Sequence, residues 1–359
     1  MNSIFSTRQH ALVCSLAVNK LDGLLILGHE NIQYITGFTG NAAYAIMTEK
    51  HQFLITDYRY FERAQSECQG FEVICRDRDN ESLGACIKRH LLNIEHLGFD
   101  AAFINVQAWQ DIVQSLTGIT LSPIVGLIEQ QRMIKDEWEI KQIALAAAIA
   151  DQALNETMPY FTAGATERDV ALELEYRMQK LGSQGMAFHT IMLFSARTSL
   201  PHGVPGDQKL QAGDFITLDF GAVVNGYRSD MTRSYILGAA SAEQKAIYDT
   251  VAAAQHAAIA TLKPGVTSAQ VYFASKAVLD ASPYAKWQGE GLGHGVGLFL
   301  HEQPFLNAKT EYQLQRGNVV TIEPGIYIPG FGGVRLEDDF LITDTGCQVL
   351  THAPKPFEI

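Results

Sequence analysis

Apolar positions along this chain fall into two alternating patterns. The runs LDGLLILG (21–28) and QFLITD (52–57) are continuous and bounded by turn residues, as buried strands are. Phe61 to Cys68 spaces its residues as a helix does. From about Met1 to Ile128 these patterns predict a small α/β domain, residues 1–128, followed by a second domain over 129–359. A connector from Glu129 to Lys135 leads to Asp136, which with Glu139 three residues on forms a helix-start signature. The apolar helix that follows, Glu137 to Met158, is closed by Pro159 and Gly164. Thr166 with Asp169 opens another helix that runs to Gly182. Ala242 to Leu262 reads as a third, stopped by Lys263-Pro264-Gly265.

Two hairpins stand out between these helices. Asn225-Gly226, a strong two-residue turn signal, separates the β-prone runs Phe215 to Val224 and Tyr227 to Leu237. With that loop Val224 faces Tyr227 and Gly221 faces Asp230. Asp219 shares the parity of Gly221, so Asp219 and Asp230 project from one face, about 7 to 8 Å apart at the backbone. The runs Val319 to Ile328 and Val334 to Thr343 flank the turn-rich segment Pro329 to Gly333 and bring Glu323 and Glu337 to one face in the same way. Pro324 and Gly325 are expected to bulge that strand and shift its register.

Composition narrows the class. At 359 residues and 47% hydrophobic content the chain can bury sizeable cores. Its net charge of −12 and absence of a long Lys/Arg run argue against nucleic acid and favour small peptides as partners. The five cysteines show no metal-type spacing, which predicts reduced thiols. The first residues lack a signal-peptide pattern and no stretch reaches the length of a membrane span, so the expectation is a cytoplasmic protein with no membrane partner.

The chemistry gathers in the second half. Asp219 in TLDFG, Asp230 in YRSDMTR, His294 in GLGHGVG, Glu323 in TIEPG and Glu337 in VRLEDD form a hard, oxygen-rich ligand set. Four carboxylates are too many for one site unless about two divalent cations neutralise them. Asp219 lies between Leu218 and Phe220, and Glu323 follows Val-Val-Thr-Ile, poor surroundings for an unpaired charge. The set predicts a two-metal hydrolase that activates water.

These motifs resemble the M24 metallopeptidases of the pita-bread, or creatinase and aminopeptidase P, fold. The ligand order, the eleven-residue step between the aspartates and the segments NIQYITGFTG, TDYRYFERA and MIKDEWEIKQI all agree with its proline-peptidase branch. The resemblance implies an α+β architecture: a C-terminal pita-bread domain, helices packed on one face of a curved antiparallel sheet and ligands on the other, behind a smaller α/β domain. It also implies a homodimer. One ion would be held by Asp230, His294, Glu323 and Glu337, the other by Asp219, Asp230 and Glu337. A water spanning the ions would attack the scissile carbonyl, with Glu323 shuttling its proton. Mn²⁺ suits such a site, and Co²⁺, Fe²⁺ or Zn²⁺ are tolerated.

Further matches bear on substrate. His202 in SLPHG and His301 in GLFLHE correspond to histidines that bind substrate and stabilise the tetrahedral intermediate; a structural histidine is the alternative for each. Tyr327 and Arg335 correspond to residues around the proline pocket, with a core tyrosine and an ordinary ion pair as their alternatives. Two positions depart from the pattern: Glu290 replaces a histidine four residues before His294, and His189 stands where relatives often have an acid or proline. Either the two compensate each other or they mark an altered substrate. The first expectation is an Xaa-Pro aminopeptidase acting on short peptides with proline second. Its closest competitor is an Xaa-Pro dipeptidase, followed by a non-peptidase or metal-free binding member of the fold.

Overall fold

The computed structural model describes residues 2–359, which form two compact units, the first ending at Arg132 and the second spanning Met133–Ile359. The first is built on a six-stranded mixed sheet in the order Glu72–Cys75, Gln52–Thr56, Tyr44–Thr48, Gly23–Ile26, His96–Asp100, Thr120–Ile124. Leu25, Ile46, Phe53 and Leu97 from its strands pack with Ile87 and Ile112 from helices Leu83–His90 and Val106–Ser115. Both predicted strands are present, and the predicted helix is Phe61–Glu67. Two features differ from expectation. Helix Asn2–Val18 was not foreseen because its apolar residues form no single stripe. Residues 129–132 belong to helix Leu127–Arg132 instead of a connector, since buried Arg132 donates to Asn31 Oδ1 (2.8 Å) and Asn31 donates to Glu129 (2.7 Å).

The second unit begins with helix Glu137–Thr157, started by the foreseen reciprocal cap: Asp136 accepts from the Glu139 N–H and Glu139 from that of Asp136. Thr166 and Ser241 cap helices Glu167–Lys180 and Ala242–Ile259. Helix Ser268–Asp280, capped by Thr267, was not anticipated. Its Phe273 is half exposed, which blurs the apolar stripe.

Its sheets are antiparallel: three strands in the order Met231–Ile236, Phe215–Phe220, Ile191–Phe194, and five in the order Glu302–Leu306, Gly293–Gly295, Val319–Ile322, Asp338–Ile342, Cys347–Val349. Period-two alternation decides which face carries chemistry. Ile216, Leu218 and Phe220 pack against Ala146, Ala150 and Leu174 of the first two helices, which leaves Thr217 and Asp219 on the opposite face. Likewise Val320, Ile322 and Phe340 pack with Ala258 and Val271 of the later helices, which leaves Thr321 and Asp339 facing away. Among the described residues no helix is long and apolar enough to cross a membrane.

Candidate metal centre

The first hairpin turns where the sequence places it. Val224 pairs with Tyr227, and Asn225 (φ 50°) and Gly226 (φ 83°) both take the left-handed backbone of a two-residue primed turn. The same register continues beyond a break of two residues on each strand, with Phe220 opposite Met231 and Asp219 opposite Thr232. Gly221 in that break admits no side chain, because a Cβ there would overlap the carbonyl oxygen of Ser229. Asp219 and Asp230 therefore share a face.

The second hairpin corrects one expectation. Gly325 pairs with Arg335 and Ile322 with Asp338, so the ladder is interrupted at Glu323 and Pro324 but not shifted. Pro324 has no N–H to give, but two residues leave the ladder on both strands, and Glu323 stays opposite Glu337. The Glu323 N–H turns to Leu292 O (2.8 Å), just ahead of the strand that carries His294.

His294, Asp230 and Glu337 converge, each offering a ligand atom within 4.8 Å of the others. His294 Nδ1 lies 3.1 Å from the Gly295 carbonyl, to which it donates, so Nε2 presents its lone pair to Asp230 Oδ2 at 3.6 Å and Glu323 Oε1 at 3.4 Å. Burial raises the Asp230 carboxyl well above its ordinary range, and the charges of Glu337 and Asp219 push it the same way. Burial likewise raises Glu337, with Glu323 and Asp219 adding to it. Glu323, with 27% of its side chain accessible, is pushed up to about 7 by burial, against the pull of Arg335. Burial also holds His294 below its usual value, which favours the neutral imidazole a metal requires.

Arg335 sits at the edge of this cluster. It donates to Asp219 Oδ2 (2.6 Å), Thr232 Oγ1 (2.9 Å) and the Tyr327 hydroxyl (2.9 Å). Asp219 Oδ1 is nonetheless buried without a hydrogen-bond partner. An orphaned carboxylate oxygen beside three mutually repelling acids and a bare imidazole nitrogen fits a divalent cation. The residues present suit the group that the sequence implied.

All eleven predicted site residues line one cleft of about 1260 Å³. His301 stands edge-on to His294, ring centroids 4.4 Å apart, and burial followed by the nearby His294 lowers its pKa. His189, His202 and Glu290 are exposed on the wall, and Tyr327 is partly covered. Sequence reasoning missed three supporting groups. Thr232 donates to Glu337 (2.6 Å), Thr321 Oγ1 accepts the His294 N–H (3.1 Å), and Asp339 accepts the Asp230 N–H (3.0 Å). Hairpin register places Thr232 directly opposite Asp219, but its bond to Glu337, 105 residues on, leaves no local signal.

Comparison with known proteins agrees with this geometry. Residues 141–344 match the model of metallopeptidase family M24, and residues 8–134 match the creatinase/prolidase N-terminal domain. The chain belongs to family M24. This M24 peptidase is 35% identical to the Xaa-Pro dipeptidase of Pyrococcus horikoshii over 94% of each chain. An Xaa-Pro dipeptidase structure from Bacillus anthracis superposes with a TM-score of 0.95 at 33% identity, covering 99% of this chain and 100% of the other. An X-Pro aminopeptidase structure from Thermotoga maritima gives 0.91 at 32%, covering 98% and 99%. The M24 peptidase thus has the expected fold, a creatinase-type N-terminal domain followed by a pita-bread domain.

Proposed function

We propose that this M24 peptidase is an Xaa-Pro dipeptidase, a prolidase that hydrolyses the bond between a first residue and a C-terminal proline. The observation that carries the reading is the convergence of Asp230, His294 and Glu337 beside Asp219 and Glu323, in a chain similar over its length to proteins named Xaa-Pro dipeptidases. Those relatives favour the dipeptidase over the aminopeptidase expected first. The aminopeptidase stays as the second reading, supported by the Thermotoga likeness and by a cleft roomier than a dipeptide needs.

Asp230, His294, Glu323 and Glu337 would hold one cation and Asp219, Asp230 and Glu337 a second. Mn²⁺ is the best match to one imidazole among carboxylates. When bound, the cations supply Lewis acidity and lower the pKa of water near neutrality. Glu323, with part of its side chain open to the cleft, would stand where it can take up and return a proton. His301, beside His294, can donate toward the oxygen that gains charge, with His202 further along the same cleft. Arg335 orients Asp219 and fixes the Tyr327 hydroxyl at the proline side. Glu290 and His189 line the wall, Glu290 toward the proline side and His189 toward the first residue, where they bear on which substrate is accepted. A homodimer working in the cytosol completes the reading, and sedimentation checks the oligomer.

The test is the release of alanine from Ala-Pro, Ala-Pro-Ala and Ala-Ala-Ala by metal-stripped protein before and after adding Mn²⁺. Metal-dependent cleavage of Ala-Pro alone is expected. Cleavage of Ala-Pro-Ala would turn the assignment to the aminopeptidase. Failure on all three would direct attention to Glu290 and His189 as marks of another substrate.

A further inference from the structure

A buried ion pair lies outside the ligand set. Lys135 has no side-chain exposure, and its ammonium contacts Glu302 Oε1 at 2.6 Å, where Glu302 retains 9%. Isolated charges at such depth are costly, so the two depend on each other. Lys135 is itself held firmly. Its N–H donates to Gly317 O at 2.8 Å, and the next residue, Asp136, caps a 21-residue helix.

Glu302 follows His301 and opens the strand Glu302–Leu306, where it pairs with Gly295, the neighbour of His294. The ladder between these two strands breaks at His294: Gly293 pairs with Leu306 and Gly295 with Glu302, leaving three residues opposite one. Few ladder bonds therefore restrain this end of the hairpin. The ion pair packs on its backbone instead, for a Cβ on Gly297 would meet Glu302 Oε1 and, at 3.1 Å, Lys135 Cε. Arg228 secures the other side through its N–H to Gly297 O (2.9 Å) and its guanidinium to Leu298 O.

We propose that Lys135 is a positioning residue: through Glu302 it fixes the loop 296–301 and sets the His301 ring against His294. Its kinetic consequence rests on the dipeptidase reading, but its structural consequence does not. The variants Lys135→Met, Glu302→Gln and the double Lys135→Met/Glu302→Gln separate the two. In the double variant neither charge is buried alone, so its Tm returns close to that of the wild type even if Lys135→Met barely folds.

The decisive readout is histidine ring NMR of metal-free protein. The edge-on His294 ring displaces the His301 ring protons from their free position, and that displacement collapses in the folded double variant. With saturating Mn²⁺ and Ala-Pro, kcat falls about 10- to 100-fold while KM changes little. A folded double variant with an unmoved His301 resonance and wild-type kcat would overturn the proposal and make the pair purely structural. Glu302→Gln alone keeps an acceptor for Lys135, so its His301 displacement falls between wild type and double variant, while its Tm lies below that of the double variant because the Lys135 charge is left without its counterion. If wild type leaves Ala-Pro uncut, the dipeptidase reading fails while the NMR result still decides the role of Lys135.

Discussion

Arg335 brings one positive charge to a cluster of four carboxylates, and its 2.6 Å bond to Asp219 leaves Asp230, Glu323 and Glu337 without equal compensation. Burial pushes Glu323 up from 4.5 to about 7, against the pull of Arg335 and with the Asp219 charge adding to it. Between these values the metal-free folded protein keeps a proton that the unfolded chain releases. The stability that Glu323 contributes is therefore present in full below about 4.5 and is lost as pH rises through about 7. Metal-stripped protein should show a smaller drop in Tm from pH 5 to pH 8 once Glu323→Gln removes the titrating group. An equal drop in both would place the effect elsewhere. In the Mn²⁺-loaded enzyme the same substitution should lower kcat on Ala-Pro by about 10²- to 10⁴-fold, the usual worth of a general base. Glu323 was legible as a residue from TIEPG. Its proton affinity was not, because burial and neighbouring charge depend on what folds around it.

Caps and turns made several elements legible. Asp136 with Glu139, Thr166 and the Asn225-Gly226 turn act through bonds spanning a few residues, so local sequence contains the whole cause. Asn2–Val18 escaped because tertiary packing stabilises a helix whose own stripe is weak, whereas Ser268–Asp280 has a local start signal, Thr267 with Gln270, as readable as the other caps. The predicted register shift at Pro324 failed for a related reason: the partner strand loses two residues from the ladder at the same level. A prediction at this scale concerns Gly221, which lets the first hairpin cross itself closely. Gly221→Ala should cost about 1–3 kcal/mol in urea unfolding and weaken Mn²⁺ binding, because the strand must yield and carry Asp219 or Asp230 with it. An unchanged midpoint with unchanged Mn²⁺ affinity would show that the hairpin is looser than its geometry implies.

For the molecule as a whole, cation binding and folding are linked, since ions that neutralise buried carboxylates bind the folded state alone. Saturating Mn²⁺ at about 1,000 times its Kd should add about 4 kcal/mol and raise Tm, and chelation should reverse both Tm and turnover. A Tm indifferent to chelator would mean that the acids satisfy one another without metal. By itself the sequence determined the order of ligands, the parity that sets each acid on a face, the caps, and membership in the M24 family. Those follow from period-two alternation, local hydrogen bonding and motif spacing. Only tertiary structure decided that Thr232, Thr321 and Asp339 hold the ligands, that Asp219 Oδ1 lacks a partner, and that Lys135 meets Glu302 across 167 residues. Such pairings arise when distant strands and helices close on one core, and nothing in the local pattern of either partner records the other.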